Sequence, residues 1–121
     1  MAIHESGEMY LEAILVLKKD NPQVRAIDIV NHTGYSKPSV SRALGILKKN
    51  GYITVDEDGF ISFTEMGENH AQGIYERHNV LTALLEKIGV SEETAEEDAC
   101  KMEHVISTET FAAIKRFLDM E

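Results

Sequence analysis

Residues 25–51 read RAIDIVNHTGYSKPSVSRALGILKKNG, and this stretch decides the fold. Residues 25–32 place Ile27, Ile29 and Val30 at the apolar positions of a short helix. Thr33-Gly34-Tyr35 makes a turn. Ser36 is a good N-cap and Pro38 suits the first turn of a helix, because the missing amide proton has no partner there. That second helix runs to about Asn50 with Val40, Ala43, Leu44 and Leu47 facing inward, and Gly51 stops it. Short helix, tight turn and second helix make a helix-turn-helix by spacing.

Outward from it, Tyr52-Ile53-Thr54-Val55 and Phe60-Ile61-Ser62-Phe63 are β-rich runs around Asp56-Glu57-Asp58-Gly59, which reads as a hairpin. A hairpin directly after the second helix of this motif is a wing. On the other side, residues 9–19 carry Met9, Leu11, Ile14, Leu15 and Leu17 at roughly helical period, and Asn21-Pro22 breaks the run. Thr64 caps a long helix to about Ile88, with Ile74, Leu81, Leu84 and Leu85 on its apolar side. Gly89 ends it, Ser91 caps the next helix, and Ser107 starts a last one with Phe111, Ile114, Phe117 and Leu118 on one stripe. The fold class is mainly α: a winged helix-turn-helix over 1–63, then an all-helical domain over 64–121.

The chain has 121 residues, 43% hydrophobic, enough for one compact unit or two small subdomains. No apolar run approaches a membrane span, and Glu5, Glu8 and Glu12 interrupt any secretory leader at the N-terminus. One cysteine excludes an internal disulfide, so a reducing cytoplasm is the simplest setting. The net charge of −9 argues against indiscriminate DNA binding, but it is unevenly spread. Residues 33–52 hold Lys37, Arg42, Lys48 and Lys49 and no acid, whereas residues 64–121 hold 13 acids and 5 bases. Two ordinary solvated faces would give the same contrast, so charge gains weight only beside the motif.

A recognition helix presents its N-terminal residues to base edges in the major groove. Here those are Ser36, Lys37, Pro38, Ser39 and Arg42. Arg42 has the geometry for a bidentate contact to guanine. Lys37, Lys48 and Lys49 would serve phosphates, which position a protein without selecting sequence. Simple packing of the helical hairpin explains fewer features, because turn, cap, basic face and wing agree.

Cys100, Glu103 and His104 stand in the run Cys-Lys-Met-Glu-His. At i, i+3 and i+4 a helix puts them on one face. Thiolate, carboxylate and imidazole are three transition-metal donors. Singly, each has a plainer explanation: a cysteine as a small core residue, a glutamate at the surface, a histidine satisfied in the core. Three on one face shift the balance toward metal. Met9 and Glu12 lie three apart on the first helix and His78 lies on the long one, so these donors join only through folding. Mixed sulfur, oxygen and nitrogen donors suit Fe(II), Co(II), Ni(II) or Zn(II) better than Mg or Ca.

Glu8-Met9-Tyr10-Leu11, the run Ser36-Lys37-Pro38-Ser39-Val40-Ser41, Arg77-His78 and residues 98–105 (DACKMEHV) together resemble the diphtheria toxin repressor family of iron- and manganese-dependent repressors, in the right order along nearly the whole chain. The resemblance implies a homodimer whose winged helix binds a palindromic double-stranded DNA operator when divalent metal is bound. It assigns Met9, Cys100, Glu103 and His104 to the activating site of the iron-sensing branch, and His78 to a second site. Thr82 and Glu96 stand where that branch has a Glu and a His. The length is similar to two-domain manganese regulators without an SH3-like domain, a branch in which a carboxylate matches Glu12. Iron-type primary ligands on a manganese-type length imply Fe(II) as the activator, Mn(II) as the alternative, and His78 with Glu12, joined by Glu96, at any second site.

Two other classes compete. Cys-x-x-Glu-His is one substitution from a zinc-peptidase motif, but no further ligand-and-base set accompanies it. A metal-independent winged-helix regulator could sense oxidant through Cys100 or bind an organic effector, yet the chain has no second cysteine to resolve a sulfenic acid.

Overall fold

The computed structural model describes residues 5–119. The outer ends of the two expected domains, residues 1–4 and 120–121, lie outside them. Six helices and two short strands follow in the order α1 (Glu5–Asp20), α2 (Ala26–Thr33), α3 (Lys37–Lys49), β1 (Ile53–Val55), β2 (Ile61–Phe63), α4 (Glu65–Lys87), α5 (Glu92–Met102) and α6 (Thr108–Asp119). The chain divides into two compact units, one up to Gln72 and one from Gly73, so the division falls inside α4.

In the first unit α1, α2 and α3 bury Leu11, Ile14, Ile29, Val40 and Leu47 almost completely. Gly34 ends α2 in the left-handed conformation, donating to Val30 O. The Ser36 hydroxyl oxygen accepts from the Ser39 amide at 3.2 Å and starts α3. β1 and β2 pair antiparallel with Ile53 opposite Phe63 and Val55 opposite Ile61. The wing's loop is held by Asp56, whose Oδ1 accepts from the amides of Asp58 and Phe60 at 2.9 Å each. Val24 forms an isolated bridge to Ile61, and Lys18 donates to Ile61 O at 2.8 Å. These contacts tie the wing's root to the segment before α2 and to the end of α1. Tyr52 and Phe60, expected as strand residues, fall just outside the strands. Tyr52 instead donates its amide to Leu47 O, continuing the end of α3.

α4 begins against this wing. Thr64 Oγ1 donates to Gly51 O at 2.6 Å and accepts from the Gly67 amide at 3.0 Å. Gly67 is buried, and a Cβ there would fall on the carbonyl oxygen of Tyr52, well inside van der Waals contact.

In the second unit Ile74, Leu81, Ala95 and Ala99 are buried, and Ser91 caps α5 by accepting from the Thr94 amide. No residue of α6 is buried. Phe111, Ile114 and Leu118 are half-buried and Phe117 is 51% exposed, so the expected apolar stripe forms and stays largely open.

Replacing Gly67 by Ala forces backbone apart and should cost about 2 kcal/mol or more in urea unfolding. Gly73→Ala, where an added Cβ meets nothing within 4 Å, should instead stabilise by about 0.5–1 kcal/mol.

Candidate metal centre and nucleic-acid interface

α5 ends at Met102, so of the three donors expected on one helical face only Cys100 lies within the helix itself. Glu103 is the C-cap, still donating to Ala99 O, and His104 stands in the turn beyond. Both Val105 and Ile106 donate to Met102 O, which tightens the chain so that Ser107 can cap α6. Cys100 on the helix proper is exposed, whereas the side chains of Glu103 and His104 are fully buried.

Glu103 is the focus of the second unit. Its Oε2 lies 2.9 Å from Nδ1 of His78, on α4. Its Oε1 makes no hydrogen bond among the described residues and lies 3.3 Å from Nε2 of His104. Arg77, one residue before His78, donates to Ile106 O at 3.1 Å and to Glu103 O at 3.4 Å, and its guanidinium lies 5.4 Å from the Phe111 ring centre. Arg77 thus holds the turn that carries Glu103 and His104. Its sequence signal is no more than its place beside His78.

A carboxylate removed from water needs a compensating positive charge. A proton on an imidazole supplies one; a cation held by the same atoms supplies it better, since both imidazoles can then donate lone pairs. One carboxylate and two imidazoles within hydrogen-bonding distance, with a thiol on the preceding helical turn, are the donor chemistry of a divalent transition metal. The residues present fit such an ion.

Met9 and Glu12 lie three residues apart on α1, both half-buried. Glu96 is exposed on α5 and Thr82 donates to the carbonyl of His78.

The residues expected to face DNA lie on the first unit. Ser36, Lys37, Pro38, Arg42 and Lys48 are exposed and Ser39 is half-buried. Ser36 first serves the fold: besides capping, its hydroxyl donates to Ser39 Oγ at 2.9 Å. Beside them Tyr10 and Tyr35 pack with ring centres 5.8 Å apart. Burial pushes the Tyr10 phenol up, Tyr35 adds to this, and Arg42 opposes it. Sequence reading passed over Ile46, an isoleucine left 55% exposed on α3, one turn beyond Arg42.

Models of two domains match the chain: "Iron dependent repressor, N-terminal DNA binding domain" over residues 2–59, and "Iron dependent repressor, metal binding and dimerisation domain" over residues 64–120. An uncharacterized HTH-type transcriptional regulator of Methanocaldococcus jannaschii is 31% identical over 117 residues, covering 95% of this chain and 94% of that one. The transcriptional regulator MntR of Escherichia coli is 35% identical over 108 residues, covering 89% of this chain and 70% of MntR.

The chain belongs to the iron-dependent repressor family. Members of this family are metal-dependent transcriptional repressors, not enzymes, so the peptidase reading falls away. The diphtheria toxin repressor of Corynebacterium diphtheriae is 27% identical over 87% of this chain and 47% of its own length. The structure of the manganese regulator SloR superposes with a TM-score of 0.82 at 21% identity, and a manganese-dependent transcriptional repressor in complex with manganese with 0.85 at 21%. Both likenesses are of fold, and this chain spans about half of each solved chain. The winged helix-turn-helix followed by a helical domain is the arrangement these repressors share. No described helix is long and apolar enough to cross a membrane.

His78→Ala removes the imidazole from Glu103 Oε2 and leaves a buried acceptor short of a donor. The metal-free protein should lose about 1–3 kcal/mol in urea unfolding, and His78→Gln should lose less.

Proposed function

We propose that this repressor is activated by Fe(II) and that Met9, Cys100, Glu103 and His104 hold the activating ion, with His78 and Glu12, joined by Glu96, as donors to a second. The observation that carries the reading is the buried Glu103 carboxylate between two imidazoles, with one oxygen lacking a hydrogen bond among the described residues. A bound ion would supply the compensating charge, with Met9 offering a thioether from α1 and Cys100, Glu103 and His104 offering thiolate, carboxylate and imidazole around the end of α5. The chain's residues then act in sequence. Arg77 keeps the Glu103 turn in place. Met9 and Glu12 make the head that α1 belongs to responsive to the ligand set. Arg42 reads a base edge from α3, and Lys37 and Lys48 fix register on phosphates. Ser36, Pro38 and Ser39 present the helix start to the groove.

Two such heads must meet successive major grooves about 34 Å apart on a palindrome, which requires a two-fold dimer. The open apolar face of α6, with Phe117 51% exposed and Val105 just before the helix 71% exposed, supports a homodimer through this unit. On this reading the protein works in the cytoplasm and controls genes of metal homeostasis.

Mn(II) is the second reading, and one observation favours it. Cys100, the soft donor, is exposed, while the hard carboxylate of Glu103 is buried and already paired with His78. Exchanging Cys100 for Glu separates the two readings: if iron is the activator, the variant should lose iron-dependent operator binding and gain relative preference for Mn(II), measured anaerobically by fluorescence anisotropy.

The general test is operator binding against metal concentration at several salt concentrations. Glu103→Ala and His104→Ala should raise the metal needed for half-saturation by about 100-fold or more. Affinity for DNA that is equal with metal and with chelator would end the proposal. Phe117→Asp should shift the protein from dimer toward monomer in sedimentation equilibrium and weaken operator binding with it.

A further inference from the structure

Helix α3 buries Val40, Leu44 and Leu47 on one side. Opposite them, three or four residues apart, stand Pro38, Arg42, Gly45 and Lys49, all exposed. Gly45 is unlike the others. Glycine in a helix interior lowers stability relative to alanine, so its presence needs a reason. Backbone conformation is not that reason: the left-handed glycines are Gly34, Gly51, Gly59 and Gly89. Packing among the described residues is not the reason either, since a Cβ at Gly45 would meet none of them within 4 Å. Gly67 shows the contrast, a helix glycine required by the backbone of Tyr52.

The neighbours of Gly45 one turn away on the helix surface are Ser41, Arg42, Lys48 and Lys49, three cations among four exposed side chains. Gly73 in α4 is equally open, but the exposed residues one turn either side, Asn69 and Glu76, offer no cation to a polyanion. The dimensions of helix and groove bear on the gap. The major groove is about 12 Å wide and a helix with its side chains is about 10–12 Å across, so the fit has little slack. One more side chain on the inserted face holds the helix outward.

We propose that Gly45 is a positioning residue for DNA recognition. Its missing side chain lets the backbone of α3 seat close against the duplex, so that Arg42 and Lys49 on either side reach base edge and phosphate. The inference rests on the DNA-reading role of α3 given above and adds a constraint to it.

The test separates stability from recognition. A duplex is first selected from a randomised pool by the wild-type protein with manganous or ferrous ion. Affinity for that duplex, at fixed salt and metal, is then measured by anisotropy for wild type, Gly45→Ala and Gly45→Leu, and thermal unfolding is recorded for each. Gly45→Ala should raise Tm by about 3 °C while its affinity falls several-fold. Gly45→Leu should bind about tenfold more weakly or worse. A glycine with a structural role alone would move stability and affinity in the same direction. Unchanged affinity in both variants, or a lower Tm for Gly45→Ala, overturns the inference. A wild-type protein that selects no duplex overturns the reading of α3 itself, and the inference with it; altered variants beside a competent wild type keep the two failures distinct.

Discussion

One carboxylate constrains the second unit. Glu103 is fully buried, and a buried carboxylate is tolerated only where its charge is answered. His78 answers from α4 at 2.9 Å and His104 from the adjoining turn at 3.3 Å. Among the described residues Oε1 makes no hydrogen bond, so the arrangement would gain from a cation more than a finished core pair would. On the reading proposed above, a cation held by this cluster would answer the Glu103 charge more fully than the imidazoles do alone. That is the physical basis for reading this family member as a sensor.

The supporting structure works to keep that cluster in register. Arg77 spends its guanidinium on the carbonyls of Glu103 and Ile106, gripping the turn from α4 while His78, the next residue, meets the carboxylate. In the first unit a comparable economy operates at the wing. Thr64 bonds the carbonyl of Gly51 and the amide of Gly67, and Gly67 lets α4 pass close to Tyr52. The wing and the start of α4 are therefore one construction, although the wing belongs to the DNA-facing part and α4 continues into the second unit.

Much of this was legible in the residues. Ser36, Pro38 and Gly34 announce the helix-turn-helix through capping and backbone preference, which are local properties. Asp56 and Gly59 announce the wing's turn in the same way. The Cys100, Glu103 and His104 spacing suggested one continuous helix, whereas α5 ends at Met102 and Ser107 caps the next helix, a boundary that the donor spacing does not mark. The pairing of His78 with Glu103 spans 25 residues and has no local signature. Nor does the role of Arg77. Gly67 looked like any helix glycine until Tyr52 was seen beneath it, and Gly45 drew no notice until nothing was seen beside it. Long-range contacts, and the absence of contacts, are what a one-dimensional pattern leaves out.

The claim on which the rest stands is that Glu103 and His104 hold a divalent transition metal. Crystals grown anaerobically with ferrous or manganous salt, with diffraction collected on both sides of the metal's absorption edge, test it directly. The account predicts an anomalous peak bonded to a Glu103 carboxylate oxygen and to the His104 imidazole. A peak bonded to neither of them, with Glu103 still closed on His78, would contradict it.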